Sequence, residues 1–124
     1  MNLDEINIGS LAYLGDSVYE VMIRKYLILG SKEKSNILQK KSLMYVSAVS
    51  QSNILDKLLL EDALKEEEKE LIKRARNYTP KWKPRYTNIK DYKKATAIEA
   101  LFGYLYLKDD IKRIEEIINK IIGW

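Results

Sequence analysis

Residues 95–107 read ATAIEALFGYLYL, and within this run Ala95, Ile98, Phe102, Leu105 and Tyr106 recur at the spacing of one helix face. Glu99 falls inside that stripe and is the only charge between Ala95 and Leu107. A carboxylate on a core-facing stripe needs either a large upward pKa shift or a compensating partner. A buried lysine or arginine is one such partner; a metal cation is another.

A second segment, LAYLGDSVYE at residues 11–20, poses the same problem. Leu11, Leu14, Val18, Val21 and Met22 form an apolar stripe, yet Ala12, Tyr13, Ile23 and Leu27 make the other side apolar too. A helix apolar all round is expected to be buried. From Ile6 to Ile23 the only charges are Asp16 and Glu20, one turn apart and away from the stripe. Each must be paired, solvated in a cleft or bound to a cation; simple exposure to solvent is the plain alternative. Two isolated acids on two helices can also face each other across a hard-metal site built from oxygen ligands. The chain contains no cysteine and no histidine. Softer metal sites and imidazole chemistry are therefore excluded, and Mg²⁺ or Mn²⁺ is the expected occupant.

The rest of the chain supports an all-α reading. Its two prolines, Pro80 and Pro84, lie close together, its five glycines are scattered, and β-type alternation is scarce. Helices are expected at about Ser10–Leu29 and Lys34–Ser52, the latter continued by a short one near Ile54–Leu60. Three more follow at about Leu64–Asn77, Ile89–Leu107 and Asp110–Ile122. With 124 residues, 46% of them hydrophobic, residues 1–124 are read as one domain with one core. The N-terminus carries acids rather than a basic, apolar leader, and no run reaches the roughly 18 apolar residues of a membrane span. A cytoplasmic protein without a membrane partner is expected.

Charge is unevenly distributed. Glu61–Glu70 holds six acids and two lysines, whereas Lys73–Lys94 holds nine basic residues and one acid, Asp91. Both prolines, three aromatics and three basic residues crowd into YTPKWKPRYTN, residues 78–88, which reads as a loop. The formal net charge of +4 leans toward a polyanionic partner.

Residues 11–20 resemble the acidic helix that marks the ribonuclease III family, and residues 95–107 resemble that family's second acidic helix. Where the family reads Glu-Phe-Leu-Gly-Asp, this chain reads Ala12-Tyr13-Leu14-Gly15-Asp16; where it reads Ala-Asp-x-x-Glu-Ala, this chain reads Ala95-Thr96-Ala97-Ile98-Glu99-Ala100. Two family acids are thus replaced, by Ala12 and Thr96. That reduced acidic set, the Tyr19-Glu20 pair, the Arg74-Ala75-Arg76-Asn77 stretch and the proline-containing basic loop are similar to the Mini-III branch, which lacks a double-stranded-RNA-binding domain.

The resemblance implies a homodimeric bundle of about six helices that hydrolyses double-stranded RNA and leaves 5′-phosphate ends. Precursor 23S ribosomal RNA is the implied substrate, and a ribosomal protein that shapes the RNA is a further partner to consider. Asp16 and Glu99 match the metal-ligating catalytic positions, with Mg²⁺ as cofactor and Mn²⁺ as a substitute. Glu20 matches none and is assigned a supporting role, and Tyr13 matches the aromatic that packs into the partner subunit.

An RNA duplex is gripped by shape, through phosphates and 2′-hydroxyls. The candidates for that grip are Arg74, Arg76, Asn77, Lys81, Lys83 and Arg85, with Trp82 as a loop anchor or stacking surface. Two rival readings are a helical dimer that binds RNA without cutting it and an all-α nucleotide pyrophosphatase. The second would need clustered acids lining a pocket, and Glu66–Glu68 is better explained as a solvated helix face.

Overall fold

The structure, a computed structural model, describes residues 2–79 and 88–124. Among these are six α-helices: α1 (Ile8–Leu29), α2 (Ser35–Val46), α3 (Ala48–Leu60), α4 (Glu66–Arg76), α5 (Ile89–Leu107) and α6 (Ile111–Gly123), preceded by a 3-10 turn at Leu3–Glu5. The all-α expectation holds. No helix among the described residues is long and apolar enough to cross a membrane.

Local chemistry sets the helix starts. The Asn7 side chain accepts from the Gly9 N–H at 2.7 Å to open α1, and the Asn88 side chain accepts from the Lys90 N–H at 2.8 Å to open α5. Helix α4 begins at Glu66, two residues later than the sequence suggests, because the Glu68 carboxylate accepts from the backbone N–H of Lys65 and fixes the entry there. Three glutamates then fill its first turn, and Lys73, Arg74 and Arg76 its last, both matched to the helix dipole. The acidic and basic bands of the sequence thus adjoin within this one helix, Glu66–Glu70 on its first half and Lys73, Arg74 and Arg76 in its last turn.

One expected boundary is corrected. The helix foreseen from Lys34 to Ser52 is broken at Ser47, not after Ser52. Ser47 is extended, with φ −67° and ψ 153°, and it ends α2 while capping α3, its hydroxyl oxygen accepting from the Ser50 N–H. Serine caps helices without the glycine or proline that flags most breaks.

Helix α5 is the central element and packs against α1, α3, α4 and α6. Ile98, Leu101, Phe102 and Leu105 are fully buried there, joined by Leu11, Tyr19 and Ile23 of α1 and by Ile114, Ile117 and Ile118 of α6. Helices α1 and α5 run antiparallel in backbone contact. A Cβ on Gly15 would overlap the Glu99 carbonyl oxygen, and one on Gly103 would overlap that of Leu11. Only glycine allows so close a crossing.

Helix α1, expected to be enclosed on all sides, is not. Tyr13 is 85% exposed and Val21, Ile28 and Leu29 also face outward. The buried side is that of Leu11, Ala12, Gly15, Val18, Tyr19 and Ile23, so the expectation of burial all round fails for the single chain.

Candidate active site

The glycine crossing places two acids side by side. Gly15 precedes Asp16 and lies against the backbone of Glu99 itself, so the two carboxyl side chains meet at the seam between α1 and α5. Asp16 is exposed and Glu99 half-buried. Burial first, then hydrogen bonding and charge repulsion from Asp16, push the Glu99 carboxyl up to about 9. Neither acid belongs to an ion pair among the described residues. The buried lysine or arginine weighed as a partner for Glu99 is absent there, and the group that acts on its carboxyl is another carboxylate, that of Asp16.

Two carboxylates held together without a counter-charge form a site that a cation would stabilise. No group of three or more acidic ligands occurs among the described residues. The two positions that could have enlarged the set are closed: Ala12 and Thr96 are both buried, and the Thr96 hydroxyl donates to the Tyr92 carbonyl oxygen at 2.9 Å. The donor set therefore fits a hard divalent ion that takes two protein oxygens and fills its remaining positions from water and substrate.

Glu20 stands apart. Its carboxylate pairs with Arg24 one turn on, at 2.8 Å, on the solvent side of α1. This i,i+4 pairing is legible in the spacing of the two residues.

The candidate RNA-contact residues divide. Lys81, Lys83 and Arg85, with Trp82, lie outside the described residues. Arg76 and Asn77 are exposed at the end of α4. Arg74 is engaged elsewhere: its guanidinium donates to the backbone carbonyls of Ile6 at 2.7 Å and Asp4 at 3.2 Å, tying the N-terminal turn to α4. Tyr78 makes a second tie, its hydroxyl occupying the space a Cβ on Gly9 would need. Lys73, not among the sequence candidates, is exposed and with Asn77 borders both grooves that flank the end of α4. Helical spacing could have found it, since Lys73, Arg76 and Asn77 share one face whereas Arg74 points off it.

The helix that carries the exposed Tyr13 also borders an apolar groove lined by Leu14, Val18, Val21 and Met22 of α1, Tyr106 of α5 and Ile111 at the start of α6.

Residues 9–110 match the ribonuclease III domain, a stretch that includes both acidic helices, and the chain belongs to that family. Its relatives include proteins named Mini-ribonuclease 3. That of Staphylococcus aureus is 40% identical over 94% of this chain and 87% of its own length, and that of Brevibacillus brevis is 44% identical over 89% and 81%. A crystal structure of a Fusobacterium nucleatum protein superposes with a TM-score of 0.81 at 37% identity, covering 96% of this chain and 93% of the other. The chain is an endoribonuclease of the ribonuclease III type, a family that acts on double-stranded RNA.

Proposed function

We propose that Asp16 and Glu99 together hold one Mg²⁺, for which Mn²⁺ can substitute, and that this site hydrolyses phosphodiester bonds in duplex RNA. The observation that carries this reading is the meeting of two carboxyl groups at the α1–α5 seam with no basic partner among the described residues. A bound divalent ion supplies charge that polarises the scissile phosphate and lowers the pKa of a coordinated water. The chain's own contribution is geometric and electrostatic. Glu99, anchored on the central helix, gives a fixed, poorly hydrated oxygen ligand, while Asp16 presents its carboxylate from the exposed side, where a phosphate can approach. Water adds to phosphorus and the 3′-oxygen leaves, so the products carry 5′-phosphate and 3′-hydroxyl ends.

The helical domain itself grips the duplex. Lys73, Arg76 and Asn77 at the end of α4, followed by Lys81, Lys83 and Arg85, supply phosphate contacts, while Arg74 acts as the tie that holds this region to the N-terminal turn. The active form is a homodimer in which Tyr13 of each subunit packs on its partner. Its exposure, on a helix that also borders an apolar groove, supports that arrangement. A cytoplasmic role in maturing precursor 23S ribosomal RNA, with a ribosomal protein to shape the RNA, completes the reading.

The test is incubation of the purified protein with a long RNA duplex, in magnesium or in chelator, alongside single-stranded RNA and duplex DNA. Magnesium-dependent cleavage of the RNA duplex alone, abolished in both Asp16→Asn and Glu99→Gln while duplex binding survives, is the expected result. A duplex that is bound yet stays whole in every metal tried would transfer the assignment to a non-cutting RNA-binding dimer.

A further inference from the structure

About one turn beyond each acid, α1 and α5 carry an aromatic residue at the same offset. Tyr19 follows Asp16 by three residues on α1, and Phe102 follows Glu99 by three residues on α5. Their rings meet edge to face, with centroids 5.1 Å apart and an interplanar angle of 66°. Tyr19 is 1% exposed and Phe102 fully buried. The Tyr19 hydroxyl donates to the Tyr45 carbonyl oxygen of α2 at 2.7 Å, so one side chain ties three helices together. The hydroxyl also lies close enough to Glu99 to feel its charge, which adds to the upward shift that burial and Tyr45 impose on the phenol.

We propose that Tyr19 is a positioning residue for the Asp16–Glu99 metal site: its ring packs edge to face on Phe102, one turn along α5 from Glu99, and its hydroxyl, committed to Tyr45, leaves the carboxylate's lone pairs free for a cation. This inference rests on the reading of the acid pair as a metal site. The hydroxyl proton points to the Tyr45 carbonyl oxygen. A phenol that donated to Glu99 would compete with the metal for the same lone pairs, whereas one anchored on a backbone carbonyl fixes the ring without touching the ligand. Partners that hydrogen-bond a metal ligand change affinity by about 10–100-fold when removed, and the apolar shell that sets solvent access around it acts at the low end of that range. An ordinary core tyrosine would affect stability alone.

The experiment is titration of the metal-free protein with Mn²⁺, following free ion by its paramagnetic resonance, for wild type, Asp16→Asn, Tyr19→Phe, Tyr19→Leu and the remote core variant Ile118→Val. Tyr19→Leu, verified as folded by circular dichroism, should bind Mn²⁺ about tenfold more weakly than wild type. Tyr19→Phe should fall between them, and Ile118→Val should retain wild-type affinity. Unchanged affinity in the two Tyr19 variants, or in Tyr19→Phe alone should the leucine variant not fold, overturns the positioning role. So does an equal loss in Ile118→Val. Equal Mn²⁺ binding by wild type and Asp16→Asn overturns the metal site itself, and the positioning role falls with it.

Discussion

Gly15 and Gly103 face each other across the α1–α5 seam, each occupying a place where a methyl group would strike the other helix's backbone. This contact, rather than any side-chain interaction, fixes the distance between the two helices and so between Asp16 and Glu99. A Gly103→Ala substitution forces the helices apart, because the obstructing atoms are main-chain carbonyls that cannot rotate away. We expect a loss of at least about 3 kcal/mol, at the upper end for overpacking, measured by urea denaturation. Activity should fall further than the folded fraction does, and activity that merely tracked that fraction would separate the crossing from the acid pair.

Glu99 makes the metal-free protein sensitive to pH. Unfolded, its carboxyl titrates at the ordinary 4.5; folded, at about 9. Between those values the folded state keeps a proton that the unfolded state has released, so stability declines as pH rises through this window and levels off above it. Thermal melts in chelator should show that decline, and Glu99→Gln should flatten it. Saturating magnesium should flatten it as well, by replacing the proton. A wild-type decline that persists unchanged in Glu99→Gln would assign it to another group.

Arg74 and its neighbours are separable by salt. Replacing Lys73 and Arg76 with alanine should lower the slope of log affinity against log salt by about 2, close to one unit per phosphate contact. Arg74→Ala should leave the slope alone and cost about 1 kcal/mol of stability, since it removes the donor from the part-buried Ile6 carbonyl while the exposed Asp4 carbonyl regains water. A slope that falls with Arg74→Ala at unchanged stability would return this residue to the RNA-binding set.

Tyr13 is the most exposed large hydrophobic side chain on α1, at 85%. A carboxylate at this position would be unfavourable inside an apolar subunit contact and harmless on a free surface. Tyr13→Asp should therefore shift the protein from dimer to monomer in sedimentation velocity and leave its helical content intact. A dimer undisturbed by this change would locate the subunit contact elsewhere.

Much of this arrangement is legible in the order of the amino acids. The isolation of Glu99 on an apolar stripe, and of Asp16 on another helix, points to the pair because a charge without neighbours in sequence must find its partner in space. What stays hidden depends on three-dimensional neighbours. Arg74 reads as one more cation in a basic band until its guanidinium is seen on the Ile6 carbonyl. Tyr19 reads only as half of the family-like Tyr19-Glu20 pair until its hydroxyl is followed to α2. The exposed side of α1 escapes the pattern of its residues because periodicity reports how apolar a face is, and not whether the chain itself covers it.

The break at Ser47 reaches further than a corrected helix boundary. Had the helix continued from Lys34 to Ser52, the carbonyl of Tyr45 would have accepted from the amide four residues on, at Val49, and offered little to a distant phenol. Because α2 stops at Val46, that carbonyl belongs to the last turn, where backbone acceptors lack partners. The Tyr19 hydroxyl fills one of these vacant acceptors. An unremarkable serine, by interrupting a helix at one residue and not another, thereby provides the mooring for the aromatic pair one turn from the two acids, and a substitution that let α2 and α3 fuse would reach that pair without touching it.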